Sequence, residues 1–136
     1  LPSIGFWVHQ PYDAGAINDR FMKAKEGKRE KKIMLILSTV PASESGATAK
    51  NLVERRLAAC VNVMPVRSVY RWKGEMSDEE EHLLVIKTRK KRVREVMAEI
   101  RLLHPYEVPE ILALPVTAGH LPYLRWVYGE TRNRMK

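Results

Sequence analysis

The sequence predicts an α+β fold: a four-stranded antiparallel sheet carrying two main helices on one face. Three observations predict it. Short runs rich in β-branched residues recur between turn signals, as strands do. Two other segments repeat apolar residues every three or four positions, as amphipathic helices do. The two kinds alternate as strand, helix, strand, strand, helix, strand, with one short helix after the last strand.

IMLILSTV, residues 33–40, is a continuous apolar run that stops at Pro41, which suits a strand buried on both faces. Ser43 is a candidate helix N-cap, with Glu44 early in the first turn. Ala49, Leu52, Val53, Arg56 and Leu57 follow at helical spacing, with the Arg56 stem at the edge, so residues 44–58 are predicted helical. Val61 and Val63 then alternate, Pro65 interrupts, and Val66, Ser68, Tyr70 and Trp72 alternate again in shifted phase. That pattern predicts a long strand with a bulge at the proline. KGEMSDEE reads as the turn, and EHLLVIKTR, residues 81–89, as the returning strand of a long hairpin.

In KKRVREVMAEIRLLH, Val93, Val96, Met97, Ile100 and Leu103 mark the apolar face of the second helix, which ends before Pro105. PEILALPVTAG is the last strand, bounded by Pro109 and Gly119, and HLPYLRWVYGETRNR is the short final helix. This element order is the split βαβ, or ferredoxin-like, arrangement. LILSTV, YRW and LLVIK leave the second sheet face too apolar for water, so the domain is expected to assemble through sheet faces or hairpin edges.

The domain is assigned to residues 33–136. Residues 1–32 form an N-terminal extension without clear periodicity, in which Phe6, Trp7 and Tyr12 are candidates to dock on the domain or on a neighbouring subunit. The chain is basic, with net charge +8, and the excess is spread along it: residues 1–32 hold seven Lys/Arg against four Asp/Glu. The basic run TRKKRVR, residues 88–94, opens a helix, and the strand before it offers no aromatic ring for base stacking, so a nucleic-acid partner is not favoured. The acidic run Asp78, Glu79, Glu80, Glu81 reads as a counter-charge to it. No apolar run approaches the roughly 20 residues that span a bilayer, and the first 30 residues lack a signal-peptide core. Cys60 is the only cysteine, which excludes an internal disulfide and a Cys-x-x-Cys zinc site and fits a cytoplasmic setting.

His104, in LLHPYEVPEI, falls at a helix C-terminus, where a ring N–H meets unpaired carbonyls; metal ligation is the competing role. His82 and His120 have no ligand at characteristic spacing, and Cys60 reads as a small buried apolar residue. No nucleophile–base spacing, metal motif or phosphate loop is present, so no catalytic residue is assigned and enzymatic activity is not expected.

The blocks STVP, ERRLAACVNVMPVRSVYRWKGE, LLVIKTR and LHPYEVPEILALPV, with YLRWV further on, together resemble the CutA family, the divalent-cation tolerance proteins. The resemblance runs from about residue 33 to 129. It implies a homotrimer of ferredoxin-like subunits whose hairpins wrap around neighbours, and a link to divalent metals, copper especially. Signalling trimers of the PII type share that architecture, so a scaffold or signalling trimer is the alternative by fold analogy.

The family's described copper site uses a cysteine and two adjacent histidines. Here those positions hold Ser38, Leu103 and His104, so one imidazole remains and any copper site is expected to be weak. Glu107 and Glu110 are candidates to add oxygen ligands. No cofactor is required, and copper or another divalent cation is the ion considered. Tyr70, Trp72, Lys87, Tyr106, Glu107 and Glu110 are the candidate lining of a ligand cleft between subunits. Lys87 interrupts an apolar strand and needs a partner, for which Glu110 is the candidate.

Overall fold

The computed structural model describes residues 32–133. The extension and its docking candidates Phe6, Trp7 and Tyr12 lie outside the described residues. The elements are β1 (Ile33–Val40), α1 (Ala42–Glu54), β2 (Cys60–Trp72), β3 (Glu75–Arg89), α2 (Val93–Leu103), β4 (Leu112–Pro115) and α3 (Leu121–Glu130), with one 3-10 turn, Lys90–Arg92, before α2. The sheet order is β2-β3-β1-β4, and every neighbouring pair is antiparallel.

The pairing Ile36↔Ile86 and Ser38↔Leu84 puts even-numbered residues of β1 and β3 on one face. Ile36, Val40, Leu84 and Ile86 from that face pack with Leu52 of α1, Leu57 after it, and Val96 and Ile100 of α2 in a single core cluster. Both helices therefore sit on the same side of the sheet. Each leucine or isoleucine buried in this way contributes about 2 kcal/mol of transfer free energy. On the opposite face Leu35, Leu37, Leu83 and Val85 are half-buried. Met64, Leu112 and Leu114 stand 43%, 54% and 42% exposed beside them. The helix α3 covers only one end, where Val127 meets Ile33 and Ala59.

Three boundaries differ from the sequence reading. The first helix begins at Ala42 behind Pro41, and Ser43 makes no capping bond. It ends at Glu54 rather than 58, because Arg56 takes a left-handed conformation (φ 57°). The Leu57 and Arg56 amides then donate to the carbonyls of Leu52 and Val53, at 2.9 and 3.0 Å. This is a Schellman ending, and it folds Leu57 back onto the core. The last strand is short, Leu112–Pro115, within a segment where Pro109 and Pro115 have no amide to donate.

The hairpin carries the largest correction. No bulge forms at Pro65: pairing runs without a break from Cys60↔Lys87 through Pro65↔His82 to Trp72↔Glu75. Proline is accommodated because β2 is an edge strand of the described sheet, where an amide on the open side needs no partner. The apparent phase shift is a change of face. Val61 and Val63 point to the helix side, whereas Val66, Ser68, Tyr70 and Trp72 occupy the other alternation. The turn is only Lys73–Gly74, with φ 50° and 82°, the two left-handed positions of a tight hairpin turn. Glu75–Glu80 therefore belong to the strand.

Candidate functional site

The long hairpin brings its far end over the segment between α2 and β4. Pro105 keeps His104 extended (φ −79°, ψ 132°) and ends α2, so the chain turns out toward the hairpin. Between the two lies a cleft of about 760 Å³. One wall comes from β2 and β3, including Arg67, Tyr70, Trp72, Glu79 and Glu81. The other comes from Tyr106, Glu107 and Glu110, with Thr39 of β1 at the lining as well.

Four glutamates line this space, and Arg67 is the one basic residue among the described residues of its lining. Arg67 is already committed: its Nε donates to Asp78 at 2.7 Å and its second nitrogen reaches the other oxygen. That pairing holds the Asp78 carboxyl below the usual aspartate range. Tyr70 donates its hydroxyl to Glu79 at 3.0 Å, and the bond raises the phenol above its ordinary pKa. Tyr106 is raised too, first by burial and then by the negative charges of Glu81 and Glu79.

Glu81 is the unusual member. It is 4% exposed, and its Oε2 has no hydrogen-bond partner. Leaving such an oxygen dry and unpaired costs about 1–3 kcal/mol, more when it is charged. At the rim, Lys73 places its Nζ 3.7 Å from Glu107 and 5.8 Å from the centre of the Trp72 ring.

His104 stands behind the cleft. Its Nε2 lies 2.7 Å from the carbonyl of Thr39, which can only accept, so Nε2 carries the proton. Its Nδ1 then accepts the Tyr106 amide at 3.1 Å. In this arrangement the ring has no free lone pair to offer an ion. The carbonyl it caps belongs to β1 rather than to its own helix. The ring also lies 4.6 Å from that of Tyr106, which fixes the aromatic wall. At the other two family positions, Ser38 is fully buried with an unpartnered hydroxyl and Leu103 offers only hydrocarbon. Among the described residues no three of His, Cys, Asp and Glu converge to hold a metal ion.

Of the sequence candidates, Tyr70, Trp72, Tyr106, Glu107 and Glu110 come together in the cleft, and Lys87 does not. Lys87 lies across from Cys60 in the hairpin, with its Nζ 3.8 Å from the thiol, and it is not paired with Glu110. Six residues of extended chain, roughly 20 Å, separate it from Glu81. Glu79 escapes the sequence reading because KGEMSDEE reads as a turn, and Glu81, the first residue of the returning strand, because an acidic run reads as solvated surface. The signal for Glu79 is Lys73–Gly74: a two-residue turn there makes Glu79 a strand residue opposite Ser68, on the same alternation as Glu81 opposite Val66.

Residues 34–130 match the family model described as CutA1 divalent ion tolerance protein. The divalent-cation tolerance protein CutA of Thermus thermophilus is 46% identical over 99 residues, covering 71% of this chain and 96% of that one. The chloroplastic protein CutA of Arabidopsis thaliana is 38% identical over 114 residues, which is 82% of this chain but 63% of the longer relative. The structure of the PII-like protein CutA from a Nostoc species, in apo form, aligns with a TM-score of 0.70 at 37% identity, covering 73% of this chain and 97% of that chain. The chain belongs to the CutA1 divalent ion tolerance family.

Proposed function

We propose that this protein acts as a divalent-cation tolerance-type binding protein. It assembles as a homotrimer of ferredoxin-like subunits and holds a divalent cation weakly, or a small cationic ligand, in the acidic cleft near the subunit boundary. The strand order with both main helices on one face supports the ferredoxin-like reading. The exposed Met64, Leu112 and Leu114 on the second sheet face support assembly, since a surface of that kind is normally covered. The observation that carries the ligand site is the buried, unpartnered Oε2 of Glu81 in the lining of a cleft with three further carboxylates.

The donors of this cleft are oxygens, and copper holds best to imidazole and thiolate, so copper affinity is weak and carboxylate-dependent. No helix among the described residues is long and apolar enough to cross a membrane. Sedimentation together with calorimetric titration of copper into wild type and Glu81→Gln tests the proposal. A trimer mass and a titration weakened by Glu81→Gln are expected. A stable single subunit, or copper binding indifferent to Glu81→Gln, contradicts it.

A further inference from the structure

We infer that the cleft is shaped for an organic polycation: an aliphatic molecule carrying two or more ammonium groups, a di- or polyamine. The inference rests on the cleft being the ligand site and names the class of ligand. Four observations lead there.

The first is Glu81, whose buried oxygen lacks a donor; a bound ammonium supplies one and offsets the cost of burying the charge. The second is the placement of the carboxylates. Glu79 and Glu81 come from β3, whereas Glu107 and Glu110 come from the loop before β4. Nowhere among the described residues do three such groups converge on one point. Charges split between two chain segments suit a ligand with separated positive ends better than a single bare ion.

The third is the aromatic lining. Tyr70, Trp72 and Tyr106 line the cleft, and aromatic rings attract an organic cation within about 6 Å, a contact a hydrated metal ion uses poorly. The chain already makes such an arrangement at the rim, where the Lys73 ammonium sits between the Trp72 ring and Glu107. The fourth is volume: about 760 Å³ is within the range that holds a small organic molecule. Anions are disfavoured, since Arg67 is already taken by Asp78.

The test is calorimetric titration of spermidine into the full chain at low salt. The chain carries a net charge of +8, so general electrostatics opposes a polycation and binding must come from a local acidic site. Saturable binding is expected, weakened about tenfold or more by Glu81→Gln and by Glu110→Gln. The Glu44→Gln control, in α1 away from the cleft, should leave it unchanged. Glu110 is exposed, so its variant keeps the test valid even if Glu81→Gln alters folding. Spermidine binding that ignores both cleft substitutions overturns the inference. So does absence of spermidine binding while copper still binds in a Glu81-dependent way, a result that leaves the cleft reading standing. If neither ligand binds, both readings fall.

Discussion

Replacing His104 with alanine separates a structural histidine from a ligating one, and the structure sets the magnitude. The substitution removes the Nε2–H bond to the Thr39 carbonyl and the Nδ1 acceptor for the Tyr106 amide. It also removes the tilted ring contact with Tyr106. Each hydrogen bond is worth about 1 kcal/mol net, and the ring pair about 0.5–1.5 kcal/mol. The expected loss is therefore about 2–4 kcal/mol, read by urea denaturation at fixed protein concentration because assembly contributes to apparent stability. Water can re-satisfy the Thr39 carbonyl if the site opens, which would place the loss at the lower end. Copper affinity of the folded protein should change only a few-fold, through looser placement of Tyr106. An unchanged unfolding free energy, paired with a tenfold or larger fall in copper affinity, would refute the reasoning and return His104 to the metal.

Glu81→Gln is expected to raise the unfolding free energy of ligand-free protein by about 1 kcal/mol in urea denaturation, because a neutral amide costs less to bury than a carboxylate with an unpartnered oxygen; a lower unfolding free energy would show that the carboxylate is satisfied in solution. Glu99 accepts from Arg55 and, at 2.8 Å, from Asn51, and these bonds hold its folded pKa below the usual glutamate value. Stability from this group is then present above the unfolded pKa of about 4.3 and is lost as pH falls through the folded one. Arg55 is half exposed, so the effect is about 0.5–1 kcal/mol, and Glu99→Gln should flatten the stability profile below that pH in acid titration of the unfolding midpoint. Gly74→Ala meets no neighbouring atom but must adopt φ +82°, so a loss of about 1–2 kcal/mol from backbone strain alone is expected in thermal unfolding.

Much of the architecture was legible in the chain because apolar period and burial agree. Ile36 and Val40, Leu84 and Ile86, and Val96 and Ile100 fall at the spacings their elements require, and each is fully buried or nearly so. The errors came where one residue's backbone overrides a pattern. Arg56 in a left-handed conformation cut the first helix while leaving Leu57 in the core, so the apolar period outlasted the helix. Pro65 looked like a break because the hairpin moves its apolar residues from one face to the other at that point. The cleft was half legible. Tyr70, Trp72, Tyr106, Glu107 and Glu110 drew notice as aromatics and carboxylates close to prolines and turns. Glu81 did not, because an acidic run reads as solvated surface and only the strand register shows one of its members to be buried. Lys87 was misplaced for the converse reason: a lysine in an apolar strand asks for a carboxylate, yet here its ammonium meets the Cys60 sulfur.

The most direct measurement is a crystal structure of the full chain grown with saturating spermidine and, in parallel, with copper. Ligand density is expected between the hairpin and the 105–110 loop, with a nitrogen or metal ion within about 3 Å of Glu81 Oε2. An empty cleft with the ligand seated instead among Ser38, Leu103 and His104 would contradict it.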